Sequence, residues 1–193
     1  MRPLLPEDFK NFTVAFINTA ANPYETKTWL NEDRDKLVQM GFKVFDLDIE
    51  GKTIDELKKL FSSCNIIFVS GGNTFYLLDQ AKKSGFLNIV PGLVNEGKIY
   101  IGSSAGSYLA CPTIEVANWK HQDRNVVGIT DFTALGLTNF LMSVHYKPEY
   151  NDVLREGILQ AKYPVKILTD DQAVIVQDEV VKLVGIGEEI NLS

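Results

Sequence analysis

Apolar and polar positions alternate between two periods along the chain. Short apolar runs read as strands, the first of them β-branched like a buried strand. They cover residues 12–18 (FTVAFIN), 43–49 (KVFDLDI), 65–73 (NIIFVSGGN), 98–102 (KIYIG), 140–145 (FLMSVH) and 165–169 (VKILT). Between them, apolar residues recur every three to four positions among charges, which predicts amphipathic helices. Residues 23–40 carry Trp29, Leu30, Leu37 and Met40 and stop at Gly41. Thr53 and Glu56 have the spacing of a capping box, followed by Ile54, Leu57, Leu60 and Phe61 at helical spacing. Further helices are expected over residues 74–84, ending at Gly85, and over 87–96 and 148–162. Residues 173–185 (AVIVQDEVVKLVG) read as a hairpin.

Strands alternating with helices predict an α/β fold: a mainly parallel sheet with helices on both faces. No linker interrupts the pattern, so residues 1–193 are expected to form one domain. Ligands in such sheets bind beyond the carboxyl ends of the strands. Two of those ends are built of small residues: Ser70-Gly71-Gly72-Asn73, and Gly102-Ser103-Ser104-Ala105-Gly106.

Composition narrows the function. A chain of 193 residues that is 45% hydrophobic can bury a sizeable core. Its net charge of −6, with scattered lysines, argues against nucleic acid as a partner. The two cysteines, Cys64 and Cys111, lie in apolar sequence and read as buried reduced thiols. No secretion signal is visible, and no apolar run approaches the ~18 residues of a membrane span. A soluble cytoplasmic protein is expected, without membrane partners. No clustered His/Cys spacing suggests a metal, and no cofactor is implied.

Gly102-x-Ser104-x-Gly106 fits the pattern of a nucleophile elbow. A serine at a sharp strand-to-helix turn stands clear of the sheet only if the residues two away lack side chains. That register names Ser104, and leaves Ser103 as a packed small residue. A serine hydroxyl needs a base. Of the two histidines, His121 lies in a polar stretch expected to be a surface loop. His145 ends a predicted strand, at the sheet edge where Ser104 also belongs, and is the better base. Glycines let a backbone N–H approach a carbonyl closely, so the amides of Gly72 and Ala105 are candidates for an oxyanion hole.

Together these stretches carry a resemblance. SGGNTFYLL, YIGSSAGSYLACPTIE, DFTALGL and VHY, within residues 67–146, resemble the dipeptidase E and cyanophycinase family of serine peptidases. The pairing of GGNTF with GSSAG is more specific than either alone. The resemblance implies a flavodoxin-like, three-layer α/β sandwich, similar to the class I glutamine amidotransferase fold, with serine where that fold has cysteine. It implies a Ser104–His145 pair with Gly72 and Ala105 as the oxyanion hole. The family's acid would fall at Trp119, a departure. Asp123 is then the first candidate for the third member, with Glu115 and Asp131 as options, although Asp131 reads better as a turn cap. Dipeptidase E receives an aspartyl carboxylate on a basic side chain beyond its histidine; here Lys147 and Arg155 lie in that region. The expected activity is hydrolysis of short peptides, with N-terminal aspartyl dipeptides as one class. The alternatives are a degenerate peptide- or metabolite-binding member of the fold and a small esterase or amidase.

Overall fold

The computed structural model describes residues 9–121 and 123–192. Its centre is a four-stranded parallel sheet of β1 (Thr13–Ile17), β2 (Lys43–Leu47), β3 (Ile66–Val69) and β4 (Ile99–Gly102), in the order β2-β1-β3-β4. This is the start of the flavodoxin-like order. Side chains alternate across a strand, and the two faces sort accordingly. Ala15, Ile17, Ile67 and Val69 face one core, while Val14, Phe16, Ile66 and Phe68 face the other.

The first core is closed by α2 (Ile54–Phe61), α3 (Thr74–Lys83), α4 (Phe86–Asn95) and α5 (Ala105–Ala110), through residues such as Leu57, Phe75, Val90 and Leu109. Phe61 and Phe86 meet edge to face at 5.8 Å, and both are fully buried. Burial of such a side chain contributes roughly 1.5–3 kcal/mol. The second core is closed by Leu30 and Leu37 of α1 (Thr28–Gln39), with Phe9, Phe12 and Phe42. Helices on both faces make the predicted α/β sandwich. Both cysteines are buried and free.

Several expectations shift. The first helix begins at Thr28, not near Pro23. Residues just before it are held outside the helix by side-chain bonds to the loop after β2. Thr19 Oγ1 and Asn22 Nδ2 donate to Asp48 at 2.7 and 2.9 Å, and Asn22 Nδ2 also donates to Glu50 at 2.7 Å. The capping box forms: Glu56 N–H donates to Thr53 Oγ1, and Thr53 N–H to Glu56 Oε2. The expected helix over 148–162 is a 3₁₀ turn, Pro148–Tyr150, followed by α7 (Asn151–Gln160).

The late strands do not extend the central sheet. β5 (Leu141–Ser143) and β6 (Val165–Ile167) form a separate parallel pair. β7 (Gln172–Gln177) and β8 (Val180–Gly185) form the expected hairpin. Between α5 and β5 lies the short helix α6 (Val116–Trp119). Trp119 lies against α7: a Cβ at Gly157 would fall 2.4 Å from its ring. No described helix is long and apolar enough to cross a membrane.

The Trp119–Gly157 contact yields a stability test. Gly157→Ala forces a methyl into the indole, and overpacking of this kind costs about 1–3 kcal/mol. Urea unfolding should show that loss; an unchanged midpoint would mean that α6 does not pack on α7 in this way.

Candidate active site

Ser104 lies where β4 turns into α5. Its φ of 52° and ψ of −109° are a conformation that side chains rarely adopt. The neighbours permit it. A Cβ on Gly102 would lie 2.4 Å from the Gly106 oxygen, and one on Gly106 would lie 2.2 Å from the Val69 oxygen. The expected requirement for side-chain-free positions on either side of Ser104 therefore has a steric basis here. Ser107 Oγ braces the turn by donating to the Gly102 carbonyl at 2.9 Å.

The Ser70–Asn73 turn abuts it, since a Cβ on Gly71 would come 3.0 Å from Ser104 Cβ. Trp29 Nε1 holds this turn through the Gly71 carbonyl at 3.4 Å. Gly72 has φ of +146°, and a Cβ there would meet the Ala20 oxygen at 2.2 Å. Among the described residues, no backbone acceptor takes the N–H of Gly72 or of Ala105. Ala105 opens α5, where an N–H has no partner within the helix.

His145 follows β5 with φ of 57°. Its Nε2 lies 2.9 Å from Ser104 Oγ. Its Nδ1 lies 2.5 Å from Oδ1 of Asp170, a residue the sequence reading did not nominate. Strand pairing explains the placement. β5 and β6 run parallel with Ser143 opposite Ile167, so the residues just beyond their ends, His145 and Asp170, emerge side by side. An acid directly after the predicted strand VKILT was the available signal. What was missing was that this strand is the neighbour of the one ending in His145.

The other nominated acids lie elsewhere, and Asp123 is the correction that matters. Its Oδ2 accepts the Thr74 N–H at 2.8 Å, at the N-terminus of α3, where helix polarity favours a carboxylate. The imidazole's second nitrogen is taken by Asp170 instead. Asp131 caps a turn, accepting the Thr133 N–H at 3.0 Å, and pairs with Lys82 at 2.6 Å. Those bonds hold its carboxyl well below the usual carboxylate range. Glu115 is the residue before α6 and makes no side-chain cap there. His121 is exposed, as are Lys147 and Arg155.

The model of peptidase family S51 matches residues 2–184. The chain belongs to peptidase family S51. An uncharacterized peptidase of Pasteurella multocida is 28% identical over 175 residues, which is 89% of this chain and 84% of the relative. Peptidase E of Salmonella arizonae is 35% identical over 136 residues, 68% of this chain; the match spans 54% of that protein's length. A crystal structure of a peptidase E candidate from Listeria monocytogenes EGD-e superposes with a TM-score of 0.83. It is 26% identical and covers 94% of this chain and 90% of its own. The resemblance read from GGNTF and GSSAG agrees with this family.

In this S51 chain a groove of about 800 Å³ opens beside Ser104, His145 and Asp170. It runs along β4 and under β7. A buried cation supports the histidine from behind. Lys120 is 8% exposed, and its Nζ donates to the carbonyl of Val144, the residue before His145. The ammonium also lies 5.4 Å from the centre of the Tyr150 ring. Burial pushes its pKa down to about 8, with the nearby carboxylates of Asp170 and Asp123 opposing the shift.

That depression fixes the sign of a pH effect. Between pH about 8 and 10.5, the unfolded chain keeps a proton on Lys120 that the folded chain has released. Stability contributed by this position therefore rises with pH through that window. Measured against Lys120→Met, the unfolding free energy of the wild type should improve from pH 8 to 10.5. A difference that stays flat would contradict the buried, proton-shedding lysine.

Proposed function

We propose that this family S51 chain is a serine peptidase that hydrolyses short peptides through an acyl-enzyme on Ser104. The observation carrying this reading is the Asp170–His145–Ser104 relay, at 2.5 and 2.9 Å, on a strained strand-to-helix turn. Asp170 accepts a hydrogen bond from Nδ1–H, which leaves Nε2 free to accept from the Ser104 hydroxyl. It also stabilises the imidazolium that forms when the proton moves.

Ser104 Oγ attacks the scissile carbonyl as His145 takes its proton. The carbonyl oxygen becomes an oxyanion, for which the free N–H groups of Gly72 and Ala105 are the donors on hand. Collapse breaks the C–N bond, and His145 returns the proton to the leaving amine. Water, activated by the same imidazole, then releases the acyl group. The strain at Ser104, of order 1–3 kcal/mol, keeps its hydroxyl pointed at the imidazole instead of being relaxed into the helix.

Aspartyl dipeptides stay within this class as one kind of substrate; Lys147 and Arg155, the basic residues after His145 in the chain, are exposed.

The test is release of amino acid from a panel of aspartyl, non-acidic and β-aspartyl dipeptides. Ser104→Ala should abolish turnover. Asp170→Asn should lower kcat/KM by roughly 10²–10⁴, the effect of holding a catalytic histidine in the wrong tautomer. Asp123→Asn should stay near wild type, because the amide oxygen still accepts from Thr74 N–H. An equal loss in Asp123→Asn and Asp170→Asn would contradict the assignment of the acid. Absence of turnover across the panel and longer peptides would contradict the peptidase reading.

A further inference from the structure

β4 is an edge strand with an unusual edge. Its Ile99 N–H donates to the Asn65 carbonyl at 3.0 Å, and its Ser103 N–H to the Val69 carbonyl at 2.9 Å. Backbone groups alternate in direction along a strand, so odd positions turn toward β3 and Tyr100 and Gly102 turn outward. Among the described residues no strand pairs with that outer side, although its Gly102 carbonyl already accepts from Ser107 Oγ. Exposed edges are normally blunted by lysine, proline or a bulge. The residues Ile-Tyr-Ile-Gly of β4 contain none of these. Instead, the outer side opens into the groove beside Ser104, and Ala173, Val174 and Val176 of β7 stand across it.

Ser104, His145 and Asp170 line the groove, and the rest of its lining is mixed, with Val94, Ile99 and Val174 beside Asn95, Lys98 and Gln177. His145 must protonate the leaving amine, so the leaving half of a substrate has to pass beside it. The groove lining includes His145 but neither Gly72 nor Ala105, the donors proposed for the oxyanion. With the imidazole that serves the leaving amine in its lining, the groove is read as the leaving-group side of the nucleophile. A chain that leaves Ser104 and follows β4 back toward Ile99 runs opposite in direction to β4. At about 3.3 Å per residue, the four residues of β4 match about four substrate residues.

We propose that the leaving half of an extended peptide pairs antiparallel with the free edge of β4, so that the preferred substrates carry several residues after the cleaved bond. The proposal rests on the serine peptidase reading and names its substrate class. In antiparallel pairing, one substrate residue exchanges both hydrogen bonds with the Tyr100 N–H and C=O, and its immediate neighbours face away. Apolar side chains of the peptide lie against Ile99 and Val174.

Two measurements on the wild-type chain test this. In the first, kcat/KM is compared across peptides with identical residues before the cut and one to five after it. It should climb by roughly tenfold or more up to about four residues and then level off, as two or more hydrogen bonds of roughly fivefold each are added. In the second, single N-methyl groups are moved along the leaving half of the best peptide. Losses of roughly fivefold should recur at every second residue, with little effect between. A length series that is flat or falling overturns the proposal, as do N-methyl losses without a two-residue period. A dimer in sedimentation that long peptides do not dissociate would assign the edge to a second copy of the chain, and overturns it too. Dipeptide turnover with no length effect removes this proposal alone; no turnover of any peptide removes the peptidase reading with it.

Discussion

The site depends on one steric constraint: two backbone segments must cross within touching distance at the end of β4. The Val69 carbonyl accepts the Ser103 N–H and at the same time abuts Gly106, where a Cβ would lie 2.2 Å away. Gly102 and Gly106 face each other just as closely. Any side chain at these points would push α5 off the sheet and let Ser104 relax. Held in this way, the serine keeps a φ of 52° and its hydroxyl stays at the carboxyl edge of the sheet. The buried first core, including Ala105, Leu109 and Val69, holds α5 down against that strain.

The second half of the site comes from elements far away in sequence. β5 and β6 need not join the central sheet to serve it. Their parallel pairing brings His145 and Asp170 together, and Lys120 pins the Val144 carbonyl just before the histidine. His145 also has a positive φ, so both ends of the 2.9 Å contact rest on backbone that the surroundings must hold in place. The imidazole and carboxylate remain open to solvent, with side chains 44% and 74% exposed. A bound substrate would cover them and strengthen the relay by excluding water.

What the sequence made legible follows from which interactions are local. The central strands β1 and β3 could be read because residues on both of their faces are buried, leaving apolar runs such as Ile66–Val69. The capping box at Thr53 and Glu56 spans three residues and was equally readable. The elbow was readable because its steric demand falls on Gly102 and Gly106, within two residues of Ser104. Asp170 was not, because its role depends on β6 lying beside β5, a pairing that leaves no local trace. Asp123 drew attention by its proximity in sequence to the expected acid position, but α3 uses it as a cap. The start of α1 was misplaced for the same kind of reason, since Asp48 lies 26 residues from the Asn22 it holds. The open edge of β4 is a matter of which strand is missing beside it, and no apolar pattern encodes that.

On the serine peptidase reading, the fold activates one hydroxyl out of two adjacent serines. The most direct measurement is to expose the wild-type protein to a fluorophosphonate, a reagent that reacts with activated serines, and to locate the adduct by peptide mass spectrometry. One adduct per chain is expected, on Ser104, forming far more slowly after Asp170→Asn or His145→Ala. An adduct on Ser103, or an unlabelled wild-type chain that is properly folded, would contradict that reading.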